Sequence, residues 1–553
     1  MNFYEQDPLL KEILREQMDE TFFAWAEEKL HAFGGSCAHE IDERARHTDG
    51  DGRPQLIKYD RYGNDQSYVW VNEGYRETVR QTYEAGIVGY VHKDIPELGR
   101  RGSYLYSFAQ GYLLSQSEPG FYCPVTLTMA AAYLVEQYAD RELREKYLPH
   151  LTSTGETELF EGATFLTERQ GGSDVGANDT TALEAGEDGK YRLYGEKYFA
   201  SNAGMCGVAM VLARINDAEP GSKGLSLFLV PWRTDEGALN NLSIRRLKDK
   251  LGVRAVPSAE VEFDGAEAFL VGDRTRGFYY MMEALNLSRI CNSAASIGIM
   301  RRAFTEAESY AKERKAFGRE LIQYPMVQDT LVRMKVKLEA ETRTVFSLVH
   351  TFDGWYNGQK TKEKDGFLRL LIALVKAETA DQSIHFSHEA IEMHGGNGYI
   401  EDFATPRLLR DAQVLTVWEG TRNILGLEVL RLFEKFQMDE EFTAYIRKEI
   451  SPFELTGKQL LLEYTAKLEE ELQQLRKMEK LEKTRHINGL SKKMVVLLES
   501  LEMLRAAGKE TDKTKQERKQ TAAAVFLKTQ LHPLWGNRTE TWTQEESEKV
   551  LHL

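Results

Sequence analysis

The spacing of apolar residues changes twice along the 553-residue chain. Up to about residue 160, apolar residues recur every three or four positions, which is typical of amphipathic helices. The segments with this spacing are Pro8 to Lys29, Glu73 to Ala85 and Thr126 to Gln137. From about 161 to 275, short apolar runs lie between Gly, Pro, Asn and Asp residues, which predicts β-strands. These runs are Val208 to Ala213, Leu225 to Val230 and Ala259 to Phe263.

Helical spacing resumes after residue 275 and continues to the end of the sequence. It is clearest in Phe278 to Lys315, Met326 to Phe352, Gly366 to Met393 and Thr421 to Phe436. Because a chain of this length is too long for one core, the pattern predicts an α+β multidomain protein. We expect an N-terminal helical domain over 1–160, a middle β domain over 161–275, a helical domain over 276–436 and a C-terminal helical extension over 437–553.

Composition excludes several classes of protein. With 42% apolar residues the chain can bury large cores, and its formal net charge of -15 disfavours a chain-wide role in binding nucleic acid or anionic membranes. Its four cysteines show neither CxxC pairing nor metal-ligand spacing, which favours reduced thiols in the cytoplasm and no metal site. The first residues lack a basic and then apolar leader pattern, and apolar runs such as Leu370 to Val375 are too short for a bilayer. We therefore expect a cytoplasmic protein without membrane insertion.

The predicted extension is rich in charged residues of both signs. One part of it is predominantly basic, with Arg505, Lys509, Lys513, Lys515, Arg518, Lys519 and Lys528 outnumbering Glu510, Asp512 and Glu517. This cluster predicts either a phosphate-facing patch or an ordinary solvated helix face, and the second is the commoner outcome.

Two stretches about 220 residues apart carry the candidate chemistry. The first, Leu166 to Asp174, supplies hydroxyls and small residues that allow close approach to a ring or phosphate, although its glycine pair is also typical of a simple turn. The second, Glu392 to Thr421, contains glycines followed later by Glu419. A carboxylate buried beside Val417 and Trp418 would have a raised pKa and could act as a base. Glu419 could instead open the helix that follows it.

These stretches resemble signatures of the acyl-CoA dehydrogenase family over roughly residues 60 to 435. The first signature matches over Leu166 to Ala177, with Phe165 where a smaller residue is usual. The second matches at Gly395, Gly396, Gly398, Tyr399, Asp402, Arg407 and Asp411, and a third segment matches from Lys250 to Arg254 and from Val261 to Asp264. The resemblance implies an N-terminal helical domain, a middle β domain and a C-terminal helical bundle that binds flavin, followed here by an extra helical extension.

Further features are similar to the AidB-like branch of this family. They are Cys123 to Thr126, Gly171 to Asp174, Trp418 to Gly420 with Asn423 and Ile424, and the extension beyond residue 437. In that branch the extension is linked to duplex DNA. The resemblance therefore leaves open an alternative function, in which the chain is a flavoprotein of the alkylation response that binds nucleic acid and has little dehydrogenase turnover. The acidic body makes this alternative less favoured.

The main resemblance implies α,β-dehydrogenation of an acyl-CoA thioester to a trans-2-enoyl-CoA. Since no side chain accepts hydride, the reaction needs a cofactor, and the family implies FAD. Glu419 matches the position of the α-proton base. Another branch places its base before an arginine of an earlier helix, where this chain has Ser288 before Arg289, so no second carboxylate competes. Arg289 could lie near the acyl group or form an interhelical ion pair.

The resemblance also implies contacts to FAD. The matching positions are Leu166, Thr167, Ser173, Phe199, Ser201, Arg314, Phe317, Gly395, Gly396, Thr421 and Asn423. Several of them have an alternative role: Phe199 as core, Arg314 as a surface residue at a helix end, the glycines as a helix terminus, and Thr421 and Asn423 as helix caps. Pro325 and Glu392 replace glutamines that are usual in the family.

Arg314 and Phe317 match residues that reach the FAD of a neighbouring subunit. The resemblance thus implies a homodimer or homotetramer with acyl-CoA as substrate and an electron-transfer flavoprotein as electron acceptor.

Overall fold

The computed structural model describes residues 2–186, 189–358, 360–536 and 543–552. The chain divides into two compact units. The first consists of Met1–Asp7 with Met18–Cys291, and the second of Pro8–Gln17 with Asn292–Leu553.

The N-terminal part is mainly helical, as predicted. Its elements are α1 Pro8–Gln17, α2 Glu20–Ser36, α3 Asp42–Asp49, β1 Gln55–Tyr59, β2 Asp65–Trp70, α4 Glu73–Glu84, α5 Gly89–His92, β3 Asp94–Ile95, β4 Arg100–Arg101, α6 Tyr104–Leu114, α7 Pro119–Tyr138 and α8 Arg141–Leu151.

Two details of this part differ from the sequence prediction. The predicted helix over Pro8 to Lys29 is two helices, because Asp19 caps α2 by accepting a hydrogen bond from the Phe22 amide and so starts a new helix. Helix α1 belongs to the second unit, where Glu12 pairs with Arg343 at 2.8 Å. The antiparallel hairpin of β1 and β2 was not predicted. Its two strands are short, which gives the alternating pattern little length in which to appear.

The middle part forms a seven-stranded sheet. Its strands are β5 Gly162–Phe165, β6 Thr181–Glu184, β7 Lys190–Ser201, β8 Val208–Ile215, β9 Leu225–Pro231, β10 Leu242–Leu247 and β11 Ser258–Leu270. The hydrogen-bonded order is β10-β11-β7-β6-β8-β5, and β9 pairs with both β11 and β8. All of β9 is buried, which explains why nearly all of its residues are apolar. The predicted β segment is thus confirmed.

Helices return after the sheet, with one small hairpin among them. The elements are α9 Gly277–Glu313, β12 Lys315–Ala316, β13 Arg319–Glu320, α10 Pro325–Asn357, α11 Lys362–His394, α12 Thr405–Leu415, α13 Arg422–Phe436, α14 Met438–Ile450, α15 Lys458–Arg476, α16 Lys480–Lys509, α17 Lys513–Phe526 and α18 Gln544–Leu551. The predicted helical extension is therefore present as α14 to α18. Among the described residues, none of the helices has both the length and the apolar character that a membrane crossing requires.

A buried charge cluster joins α10 and α11 to the extension helix α16. The Lys337 ammonium lies 3.0 Å from Glu341, 2.8 Å from Glu378 and 2.7 Å from Glu499. Lys492 of α16 also pairs with Glu378. The carboxylate oxygens lie within 4.8 Å of one another, so the ammonium occupies the position that a metal cation would take. Burial raises the pKa of Glu341 above its ordinary value despite the opposing effect of Lys337.

Replacing Lys337 by Met should destabilise the second unit by about 3–5 kcal/mol, because it leaves buried carboxylates without their shared cation. Denaturant unfolding followed by circular dichroism measures this loss. Lys335→Met is the matched control on the same helix. Desolvation and the nearby Arg518 and Arg301 cations lower the pKa of Lys335 to about 8, so deleting its charge should cost much less. Equal losses in the two variants would contradict the role of the cluster.

A second buried acid lies in the first unit, where β5 begins. Glu161 accepts a hydrogen bond from the Tyr83 hydroxyl at 3.0 Å. That hydroxyl also lies 2.8 Å from the Thr128 hydroxyl, which accepts from the Gly162 amide. Burial raises the pKa of Glu161 from its ordinary value of 4.5 to about 7. The folded protein therefore holds this proton to a higher pH than the unfolded chain does.

The free energy of unfolding should consequently fall as pH rises from 4.5 to 7, because the Glu161 carboxyl ionises at a lower pH in the unfolded chain than in the folded protein. The shift corresponds to about 3 kcal/mol lost across that window. Glu161→Gln keeps an acceptor for Tyr83 and cannot ionise, so the variant should lose this part of the pH dependence. Unfolding midpoints of both proteins at pH 5 and pH 8 measure the difference. Parallel pH profiles would contradict the assignment.

Candidate active site and flavin site

Glu419 lies in a tight turn between α12 and α13. The amides of Val417 and Trp418 both donate to the Val414 carbonyl at the end of α12, at 2.8 and 2.9 Å. Glu419 then adopts φ +55° and Gly420 φ +103°. A left-handed backbone costs a non-glycine residue roughly 1–2 kcal/mol. Such a conformation persists only where its surroundings hold it, and it marks a candidate functional residue.

Lys376 of α11 holds this turn. Its side-chain nitrogen donates to the Trp418 carbonyl at 2.6 Å and to the Gly420 carbonyl at 2.9 Å. These two carbonyls flank Glu419, and Lys376 is only 1% exposed. The sequence prediction missed this residue. The available signal was a lysine directly after the apolar run Leu370 to Val375, in a helix whose period places it among buried positions.

The surroundings of Glu419 are less apolar than its sequence neighbours indicated. Val417 is 57% exposed, and Trp418 and Glu419 are half-buried. Glu419 also precedes the N-cap of α13, because Thr421 occupies that position. The Thr421 hydroxyl is exposed and makes no capping hydrogen bond. Asn423 is exposed, and its side-chain oxygen accepts from Asn488 of α16 at 2.8 Å.

The three glycines after α11 differ in why a glycine is needed at each position. Gly395 ends the helix with φ +59°, which suits glycine. Gly398 is needed for packing, since an added Cβ would lie 2.6 Å from the Ile391 carbonyl oxygen. At Gly396 an added Cβ would meet no described atom of the chain within 4 Å. The chain's own packing therefore does not explain Gly396, and open main chain at this point suits a phosphate group.

Arg314 and Phe317 lie beside the hairpin of β12 and β13. Arg314 is exposed just beyond the last residue of α9. Phe317 is 98% exposed at the hairpin tip, with φ +50°. Tyr324 stabilises this tip by donating from its hydroxyl to the Ala316 carbonyl at 2.7 Å. A large aromatic side chain held outward on a strained backbone suits contact with another molecule.

Leu166, Thr167 and Ser173 lie in an anchored loop of the first unit. Glu168 in this loop is buried and pairs with the equally buried Lys197 at 2.7 Å. The Thr167 carbonyl accepts from the Tyr198 amide of β7 at 2.9 Å. An added Cβ on Gly172 would lie 2.6 Å from the Thr167 hydroxyl oxygen, so this glycine also serves packing. Leu166 and Thr167 are half-buried and Ser173 is exposed.

Phe199 and Ser201 follow on strand β7. Phe199 is 54% exposed, so the alternative that it is a core residue is wrong. The Lys248 ammonium lies 4.7 Å from its ring centroid. The Ser201 hydroxyl lies 3.1 Å from that of Ser258. Arg289 is buried in α9 and donates to the Asn286 side chain one turn earlier at 3.1 Å.

Three family models match the chain. They are the acyl-CoA dehydrogenase C-terminal domain over 275–432, the acyl-CoA dehydrogenase middle domain over 163–266 and the adaptive response protein AidB N-terminal domain over 1–155. Acyl-CoA dehydrogenase family member 11 of Caenorhabditis elegans is 33% identical, over 78% of this chain and 70% of the relative. The chain belongs to the acyl-CoA dehydrogenase family. Putative acyl-CoA dehydrogenase AidB of Escherichia coli is 34% identical, over 69% of each chain.

Solved structures agree with this acyl-CoA dehydrogenase fold along nearly the whole chain. ACDH-11 of Caenorhabditis elegans in complex with C11-CoA superimposes with a TM-score of 0.86 at 28% identity, covering 99% of this chain and 94% of that one. The apo form of Bd2924 gives 0.83 at 31% identity, covering 91% and 98%. The predicted fold class, the AidB-like resemblance and the enzyme class are thereby confirmed. The family uses FAD, which confirms the predicted cofactor.

The residues of this acyl-CoA dehydrogenase fit a flavin cofactor. In the first unit the exposed Phe199 ring offers an aromatic surface. In the second unit the Thr421 hydroxyl, which makes no capping hydrogen bond, and the open main chain at Gly396 offer polar contacts. Sequence motifs identified these positions, whereas Lys376 emerged only from the tertiary structure.

Replacing Gly396 by Ala should weaken FAD binding by about tenfold, because the methyl group projects where a phosphate would approach. The fold should be unaffected, since no described atom lies within reach of that methyl group. Titration of apoprotein with FAD, together with the thermal midpoint of the apoprotein, measures both effects.

Gly354→Ala is the matched control, since its added Cβ also meets no described atom within 4 Å. It lies within α10 and should leave FAD affinity unchanged. Wild-type affinity in the Gly396 variant would remove this glycine from the proposed flavin site.

Proposed function

We propose that the chain is an FAD-dependent acyl-CoA dehydrogenase that converts an acyl-CoA thioester to trans-2-enoyl-CoA, with Glu419 as the base for the α proton. One observation carries the proposal. Glu419 is a carboxylate held in left-handed backbone geometry, by a buried lysine that contacts the carbonyls on both sides of it. Family membership supplies the reaction class in which such a residue has a role.

The reaction requires a proton acceptor at the α carbon and a hydride acceptor at the β carbon. In the proposal the Glu419 carboxylate takes the α proton, and hydrogen bonds to the thioester carbonyl stabilise the negative charge that develops there. FAD, when bound, accepts the hydride from the β carbon. The half-buried position of Glu419 allows a substrate to complete the desolvation that raises its basicity.

Each unit, taken by itself, carries residues that are proposed as contacts to FAD. In the first unit they are Leu166, Thr167, Ser173, Phe199 and Ser201. In the second they are Gly395, Gly396, Thr421 and Asn423. Their hydroxyls, amides and open main chain supply hydrogen bonds to a ring edge and to phosphates. Arg289, buried in α9, is proposed to lie near the acyl group.

Arg314 and Phe317 are proposed to contact the FAD of a second copy of the chain. The 98% exposed Phe317 at a stabilised hairpin tip supports this, because its outward position has no role within its own subunit core. The proposal therefore includes a homodimer or homotetramer. An electron-transfer flavoprotein is the proposed electron acceptor.

The basic cluster of the extension gives little support to nucleic-acid binding. Lys519 is 3% exposed and pairs with Glu12 at 2.8 Å and Glu510 at 2.7 Å. Arg518 pairs with Glu339 at 3.4 Å. Arg505 similarly contacts Glu502 and Glu449, and Lys528 contacts Glu546. The exposed members Lys509, Lys513 and Lys515 remain. Much of the cluster therefore stabilises helix packing, and neither the phosphate-facing patch nor the solvated face describes it fully.

Replacing Glu419 by Gln should abolish flavin reduction while FAD stays bound, since the amide cannot accept the α proton. The measurement is anaerobic loss of flavin absorbance on mixing with saturated acyl-CoAs of short, medium and long chain.

Glu434→Gln serves as the charge-matched control. Glu434 is exposed on α13, in the helix that follows the turn, and the variant should reduce flavin at the wild-type rate. Full activity in the Glu419 variant would refute the base assignment. A wild-type protein whose flavin no acyl-CoA reduces would refute the proposed reaction itself.

A further inference from the structure

We propose that Lys376 is the positioning residue of the Glu419 base. Its ammonium group holds the peptide group before Glu419 and the peptide group after Gly420, and so restricts the two residues between them and the position of the carboxylate. The inference rests on the proposed function in one respect, namely that Glu419 removes the α proton. The contact between Lys376 and the turn lies entirely within the second unit, which contains both α11 and the turn.

The lysine side chain is buried and carries a charge. Lys376 is 1% exposed and follows the buried residues Leu374 and Val375 on α11. A methionine or leucine would fill the same space without the cost of burying a charge. A buried ammonium group is offset by the hydrogen bonds that it donates. Lys376 donates two such bonds to main-chain carbonyl oxygens, at 2.6 and 2.9 Å.

The two acceptors enclose a short segment of the turn. The Trp418 carbonyl belongs to the peptide group directly before Glu419, and the Gly420 carbonyl belongs to the peptide group between Gly420 and Thr421. Glu419 and Gly420 both have positive φ values. This backbone conformation is unfavourable for the glutamate, so an unconstrained Trp-Glu-Gly segment would adopt another one. Rotation of either peptide plane would break a charged hydrogen bond in a buried place. The bridge therefore sets the direction in which the Glu419 side chain leaves the backbone.

The helix that carries Lys376 is itself held in place by buried charges on its opposite side. Glu378 lies two residues further along α11, about 200° around a helix of 3.6 residues per turn, and so on the opposite side from Lys376. There it contacts Lys337 of α10 at 2.8 Å and also Lys492 of the extension. These buried charges fix the rotation of α11. A further extension residue, Asn488, contacts Asn423 just after the turn at 2.8 Å.

The test uses the FAD-loaded protein in three variants. Lys376→Met removes the donors at similar volume, and Lys376→Arg keeps a charged donor. Lys364→Met is the matched control, because Lys364 is an exposed lysine on the same helix. Each variant is assayed for FAD content, for kcat and KM of anaerobic flavin reduction by the acyl-CoA that the wild type uses best, and for amide hydrogen exchange of the peptide covering residues 416–422.

Lys376→Met should retain FAD and show kcat reduced by about 100-fold with a near-constant KM, since the base is misplaced while substrate binding is intact. Exchange in the 416–422 peptide should rise by about tenfold, because the turn opens more readily. Lys376→Arg should recover part of kcat, and Lys364→Met should match the wild type. A lysine that only stabilised the fold would raise exchange throughout the second unit and would leave kcat per bound FAD unchanged.

Two results would overturn the proposal. They are wild-type exchange at the turn in Lys376→Met, or wild-type kcat in that variant. Failure of the base assignment is distinguishable, because Glu419→Gln would then reduce flavin normally. A normal rate in Lys376→Met beside an inactive Glu419→Gln refutes the positioning role alone.

Discussion

The second unit depends on the requirement that buried charges be paired, and α11 meets that requirement on two opposite sides. On one side Lys376 donates to the carbonyls that flank Glu419. On the other side Glu378 joins Lys337 and Glu499 in a cluster from which water is excluded. An unpaired charge in either place would be costly. The helix α11 therefore has little freedom to rotate. The turn that carries Glu419 is restricted as well, because Lys376 connects it to this helix.

This arrangement gives the C-terminal extension a structural role in the dehydrogenase bundle. Helix α16 supplies Glu499 and Lys492 to the buried cluster and Asn488 to the start of α13. Helix α17 contributes Lys519 and Arg518, which pair with carboxylates of α1 and α10. The basic residues of this segment left open a phosphate-facing patch or a solvated helix face, but most of these cations have acidic partners. The net charge of a segment is a better guide to solubility and to the long-range attraction of charged ligands than to the presence of a local binding surface.

Much of the fold was predictable because the spacing of apolar residues in a long segment indicates its secondary structure. Helices α9, α10 and α11 were predicted within a few residues, and the nearly continuous apolar run of β9 identified a buried strand. The break between α1 and α2 was missed, although Asp19 is a typical N-cap. The β1 and β2 hairpin was missed because its strands are short and alternate weakly. The proposed boundaries between the four segments stay a prediction.

The sequence alone determined the helical, β, helical order of the segments, the family signatures and the candidate residues on them, because these depend on local periodicity and on residue types at short spacing. Tertiary structure decided what holds the candidate base, since Lys376 and Gly420 are 44 residues apart and meet only when α11 packs beside the turn. It also decided that Phe199 is exposed and that Lys519 is buried. Burial and pairing of charge are properties of packed helices, and no local pattern of residues specifies them.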